Sequence, residues 1–163
     1  MTSSATLKIQ LTLKRSHDYG AVYRKQDGGR FDNSVTLKLN ANTKYCLSVT
    51  TRPARPVRQM VLKSEKLDLE AQKGERSDDN CLVYQADWST VGMEVNKSST
   101  RVYVPVVIEL EDGACLDTRL QVKIYPETET THSRWGQEFH LLNWDCCYKP
   151  SQPVISIQKE EYL

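Results

Sequence analysis

The side chains in this 163-residue sequence best suited to nucleophilic or metal chemistry are five cysteines and three histidines, and their spacing favours neither. Cys146 and Cys147 are adjacent, while Cys46, Cys81 and Cys115 stand alone, so the chain lacks the CxxC pairs from which zinc sites are usually built. His132 and His140 lie in the same C-terminal region as Cys146 and Cys147, which makes a thiol–imidazole nucleophile pair conceivable. Nothing supplies the third group that orients such a base. Free cysteine is among the most buried residue types, so Cys46, Cys81 and Cys115 read as small core side chains and the histidines as loop or surface residues. No GxSxG, HExxH, P-loop or dinucleotide-binding glycine pattern occurs. The expectation is no enzyme, no metal and no cofactor.

Other segments could bind rather than react. Arg52-Pro53-Ala54-Arg55-Pro56-Val57-Arg58 contains a PxxP run that could dock an aromatic groove as a polyproline helix, although a solvated connector between strands is the plainer reading. Residues 158–163 are expected to hang free as a flexible tail of a single domain spanning 1–157. Extended, such a tail reaches roughly 20 Å. A PDZ-type groove adds a tail of this kind as a strand, holds its terminal carboxylate in a backbone nest and buries its last apolar side chain. Glu161, Tyr162 and Leu163 would then be the ligand, with Leu163 in the pocket; the alternative is that these residues are simply unemployed. Leu116, Leu120, Val122 and Ile124, together with Trp135, Phe139 and Trp144, could line a cavity for an acyl or prenyl chain. A core filled by its own side chains is the simpler outcome.

The elements that must position these groups are strands. Leu7, Ile9, Leu11 and Leu13 alternate with Lys8, Gln10 and Thr12, the period of a half-buried strand. The same alternation runs through Val35, Leu37 and Leu39, through Tyr45, Leu47 and Val49, and through Leu116, Leu120, Val122 and Ile124. Residues 19–25, 81–88, 139–148 and 154–157 add further strands, and 59–62 and 66–70 weaker ones. Asp27-Gly28-Gly29 and Glu111-Asp112-Gly113 mark tight turns. Residues 72–80 and 89–100 are polar loops, and only 135–139 or 64–71 could hide a short helix. Residues 101–111 are valine-rich on both faces, and Pro105 argues for an edge position or a bulge there. This predicts an all-β, antiparallel barrel or sandwich of about nine or ten strands.

Composition narrows the partners. Lys and Arg total 22 against 21 for Asp and Glu, too even a balance to draw in nucleic acid by long-range attraction. The first residues lack the basic-then-apolar order of a signal peptide, and no stretch approaches the roughly 18 apolar residues of a membrane span. A cytoplasmic protein with reduced thiols is expected, and in that setting the Asn96-Lys97-Ser98 glycosylation pattern carries no meaning.

Several stretches are similar to the cannabinoid receptor-interacting protein family. They are Tyr23-Arg24-Lys25-Gln26-Asp27-Gly28-Gly29-Arg30-Phe31, Thr36-Leu37-Lys38-Leu39, Leu120-Gln121-Val122-Lys123-Ile124-Tyr125, and Trp135-Gly136 followed by Phe139 and Cys146, with the ending Lys159-Glu160-Glu161-Tyr162-Leu163. The resemblance follows the chain in order, with residues 52–99 divergent. It implies an accessory protein that binds the cytoplasmic C-terminal tail of a G-protein-coupled receptor of the cannabinoid type and dampens its signalling, peripheral at the plasma membrane through that partner. It also implies an antiparallel barrel resembling the Rho GDP-dissociation-inhibitor-like carriers, and with it the alternative function of a carrier for an acylated or prenylated cargo protein. PDZ-domain proteins would be further partners; the family's serine two places before the final leucine is replaced here by Glu161.

Overall fold

A computed structural model of the chain describes residues 5–72, 80–97, 99–149 and 152–163. Thirteen strands are formed among these residues: β1 (Ala5–Arg15), β2 (Val22–Gln26), β3 (Val35–Asn40), β4 (Lys44–Arg52), β5 (Val57–Leu62), β6 (Glu65–Lys66), β7 (Glu70–Gln72), β8 (Leu82–Ser89), β9 (Val102–Leu110), β10 (Cys115–Tyr125), β11 (Gln137–Phe139), β12 (Leu142–Tyr148) and β13 (Ser156–Tyr162). Three of them, β6, β7 and β11, are only two or three residues long, and they account for the excess over the expected number. Neither segment considered for a short helix is helical. Most of the polar loop expected over 72–80 lies outside the described residues, as do the first four residues.

The strands form two sheets with orders β13-β12-β1-β4-β8-β7 and β11-β2-β3-β10-β9-β5-β6. The chain is thus an all-β sandwich, and the barrel alternative is not what forms. Neither sheet closes on itself, because the terminal strands are mostly stubs that offer little ladder to a partner, which is one way an open edge avoids aggregation. The strands pair antiparallel except β3 and β10, which run parallel, and an isolated parallel bridge joins Cys115 to Val154. The alternating apolar residues meet as predicted: Leu7, Ile9, Leu11 and Leu13 of the first sheet share one core with Leu37, Leu39, Val122 and Ile124 of the second.

Pro105 lies inside β9, between β10 and β5, yet the β5 ladder ends at Leu62 opposite Val106. The Pro105 carbonyl accepts from Lys63 N at 2.9 Å, on the side where that ladder stops. The missing N–H therefore falls at a local edge. The 52–58 segment carries the chain between sheets, and Thr51 Oγ1 brackets it by accepting from Arg55 N and donating to Arg55 O. Connector is the role it performs.

The outer face of the second sheet is polar but not open. All six residues of β3 are buried, so Thr36, Lys38 and Asn40 are covered as thoroughly as Val35, Leu37 and Leu39. Over Thr36 lies an Asp27–Arg101 ion pair, Oδ2 to Nη2 at 3.2 Å, with side-chain exposures of 1% and 0%. Thr36 donates to Asp27 and accepts from Arg101 Nε at 2.9 Å and from Gln121 Nε2 at 2.9 Å. Phe31 stacks against the Arg101 guanidinium at 4.2 Å and closes the site.

A buried pair contributes little net stability when complete, but breaking it strands a charge out of water. Asp27→Ala should lower the unfolding free energy by about 3–5 kcal/mol. Urea denaturation followed by tryptophan fluorescence measures this; an unchanged midpoint would mean that the pair is not buried as described.

Candidate binding cleft

Beside this network the second sheet bears a cleft of about 530 Å³. Its floor follows from strand register. Lys123 is paired with Lys38 across the parallel β3–β10 ladder, and Tyr23 with Lys38 across β2–β3. Lys25, opposite Thr36, lies on the same face one row away. The rim is the 126–136 loop, pinned from below. Asn40 Nδ2 donates to Pro126 O, Glu129 O and Ser133 Oγ, and the Glu129 carboxylate accepts from the amides of His132 and Ser133.

Lys38 is only 6% exposed. Its ammonium donates to His132 O at 3.0 Å and to Trp135 O at 2.7 Å, and lies 5.5 Å from the Trp135 ring. Burial lowers the Lys38 pKa, and the positive charges of Lys25 and Lys123 lower it further. The Lys123 pKa is lowered as well, by burial first and then by Arg101 and Lys25. Lys123 Nζ lies 4.9 Å from the Tyr125 ring. Gly136 closes the rim at φ +107, and a Cβ there would meet Arg24 O at 3.3 Å, so this position suits only glycine. The cleft is a cationic floor under aromatic walls. It can accept an anionic group and the apolar chain beside it.

The sequence located these parts without locating the cleft. Of the stretches that carry the family resemblance, 23–31, 36–39, 120–125 and 135–136 meet at this face, whereas Phe139 and Cys146 are in the core and 159–163 lie on the other sheet. Trp135 was expected among the interior residues; it is instead 72% exposed on the rim, because it belongs to a loop rather than to an alternating strand. The other six residues of the expected lipid cavity, Leu116, Leu120, Val122, Ile124, Phe139 and Trp144, are buried in the shared core. Lys25, Lys38 and Lys123 were missed as site residues. Lys38 and Lys123 each show as the polar member of an alternation, but their adjacency depends on a parallel pairing that alternation does not reveal.

The thiols and imidazoles do not assemble. Cys146 lies on β12 in the core with its Sγ 3.5 Å from Trp144 O, and burial pushes its pKa up to about 12. His132 borders the cleft on the other sheet, and His140 is exposed. Cys147 Sγ accepts from Gln158 Nε2 at 3.1 Å, beside a second cleft of about 650 Å³ on the outer face of the first sheet. Among the described residues no group of three His, Cys, Asp or Glu side chains is placed to hold a metal ion.

The tail expected to hang free is instead β13, paired antiparallel with β12 from Ser156 to Tyr162 around a register shift at Asp145/Cys146. Trp144 Nε1 donates to Glu160 Oε2 at 2.7 Å, and the Tyr162 ring packs 6.0 Å from Phe139 of β11. Burial raises the Tyr162 pKa. Leu163 O accepts from the amides of His140 at 2.7 Å and Leu141 at 3.1 Å, and Leu163 N donates to Leu141 O at 2.8 Å. The backbone that a PDZ groove would pair with is already in use. Ile157 and Tyr162 sit opposite Cys146 and Leu142 of β12, and the buried Ile155 donates its N–H to Cys115 O of β10, which explains why the segment docks.

Fold and cleft define a class of all-β sandwich that fills its interior and presents a basic, aromatic-rimmed surface. The chain belongs to the family whose model is described as CB1 cannabinoid receptor-interacting protein 1, which matches residues 3–162. Proteins of that name from cattle and human are each 25% identical to it over 158 residues, and the mouse protein 26%, covering 96% of both chains in every case.

Two outcomes follow from this geometry. Deleting Tyr162 and Leu163 should cost about 2–4 kcal/mol of stability, from the lost ring packing and backbone hydrogen bonds. Calorimetry of the truncated chain checks this, and an unchanged melting temperature would return the segment to a free tail. The second outcome concerns alkaline pH. Cys146 and Tyr45 are both raised by burial to about 12, so the folded state keeps protons that the unfolded chain releases from about pH 8.5 and 10. Their stabilisation is complete below those values and is lost as pH rises toward 12. Cys146→Val should therefore flatten the fall in melting temperature between about pH 8.5 and 10 relative to the parent chain; parallel curves would show an accessible thiol.

Proposed function

We propose that this protein is an accessory partner of a G-protein-coupled receptor of the cannabinoid type, and that the cleft on the second sheet grips the receptor's cytoplasmic C-terminal tail. The observation that carries this reading is that four of the family-like stretches, 23–31, 36–39, 120–125 and 135–136, meet at one cationic, aromatic-walled cleft. A flexible tail offers carboxylates and apolar side chains in extended order, and Lys25, Lys38 and Lys123 beside the Trp135 and Tyr125 rings complement both. A tail so held is withheld from other cytoplasmic proteins, which is how binding alone would dampen signalling. The protein would work in the cytoplasm, drawn to the plasma membrane by its partner.

The alternative, a carrier for acylated or prenylated cargo, has less support. Six of its seven expected cavity residues pack into one continuous core, and an acyl chain would have to displace them. PDZ recruitment through Glu161, Tyr162 and Leu163 would first require β13 to leave β12.

The test is anisotropy titration of the labelled C-terminal tail of the CB1 cannabinoid receptor. Lys25→Glu/Lys123→Glu should weaken binding at least about tenfold, a loss of about 1.4 kcal/mol. Lys8→Glu on the outer face of the other sheet should leave it within about twofold, since an exposed charge far from the site is screened. Equal affinity for the parent and the double variant would remove the tail from this cleft.

A further inference from the structure

From the charge of the cleft we infer that it reads phosphorylation: its preferred ligand is a phosphoserine or phosphothreonine side chain of the tail rather than an unmodified one. This rests on the tail-binding reading and says which chemical form of the tail the site selects. The cleft gathers three ammonium groups and leaves them short of counter-charge. Among the described residues Lys38 and Lys123 form no salt bridge, whereas Lys25 approaches Asp27 Oδ1 at 3.9 Å. Asp27 is itself committed to the buried Arg101. Glu129 is turned to the His132 and Ser133 amides at the base of the rim. The two carbonyls that hold Lys38 take two of its three N–H groups and carry no net charge to neutralise it.

Three like charges held on one face repel each other, and the low-dielectric walls sharpen that repulsion. An anion relieves it in proportion to its charge. A carboxylate brings one negative charge and two oxygens; a phosphate ester brings about 1.5 to 2 at neutral pH and three acceptor oxygens. The second fits a floor of several ammonium groups better than the first. Lys38 is fixed by the rim, while the exposed Lys25 and the half-buried Lys123 have no such carbonyl clamp and can close on the phosphate. The Trp135 ring stands over the floor, where it can shield the ester and report on it.

The experiment uses the full chain and the CB1 receptor tail as synthetic peptides, unmodified or phosphorylated at one serine or threonine at a time. Isothermal titration calorimetry is the readout. In parallel, inorganic phosphate is titrated at constant ionic strength, monitored by amide shifts and by Trp135 fluorescence with Trp135→Phe as the blank. At least one phosphorylated peptide should bind tenfold or more tighter than its unmodified form. Lys25→Gln/Lys123→Gln should bring that ratio close to one, whatever it does to the absolute affinity. Inorganic phosphate should shift the amides of 24–26, 38, 123 and 132–137 and alter the Trp135 emission.

Equal or weaker binding of every phosphorylated peptide, or a ratio that survives in the double variant, overturns the inference while tail binding stands. If no peptide binds but inorganic phosphate titrates these amides, the anion site holds and the receptor-tail reading falls. Silence in both arms overturns both.

Discussion

Burying Leu37 and Leu39 of β3 beside Val122 and Ile124 of β10 forces the residues between them onto the opposite face. Because these two strands are parallel and in register, that places Lys38 against Lys123. Hydrophobic burial thus dictates an electrostatic problem one strand-thickness away. The chain meets it with cover: Asp27 and Arg101 neutralise each other over Thr36, Gln121 ties Thr36 to the preceding loop, and the 126–136 loop hands two carbonyls to Lys38. What this cover leaves over is a surplus of positive charge at one spot in a chain whose acids and bases nearly balance, 21 against 22. Overall neutrality and a charged site are compatible, because binding depends on the local field.

The interior and the edges are governed by a separate constraint. An open sandwich must protect the line where its two sheets end. Here one such line is closed by aromatic packing, with Phe139 from the short β11 of one sheet against Tyr162 from the last strand of the other. The terminal segment is therefore part of the wall, and this decides against both an unoccupied ligand tail and an open lipid channel. The two large clefts lie away from this seam.

Most of the fold was legible because alternation is a direct image of a face that must be dry. The rows Leu7 to Leu13, Val35 to Leu39, Tyr45 to Val49 and Leu116 to Ile124 sit in strands as read, with their apolar members inward. Alternation has no bearing on which strands become neighbours, so the parallel β3–β10 pair, the unclosed sheets and the resulting cleft were invisible. Trp135 was misplaced for want of a strand around it. Residues 158–163 were misjudged because Lys159, Glu160 and Glu161 look solvated; an edge strand can be polar on its outward face and still be held through its backbone and through Trp144 and Phe139. The cleft's best signal was the family resemblance, four of whose scattered stretches are neighbours in space.

On the proposed reading, the receptor tail meets the outer face of the second sheet while the sandwich stays shut. Amide hydrogen exchange of the full chain, with and without the tail peptide, tests this most directly. Slower exchange is expected in β2, in the loop bearing Trp135 and at the ends of β3 and β10 beneath it, with β12 and β13 unchanged. Protection or loosening concentrated in β12, β13 and the core strands, with the loop unaffected, would contradict it.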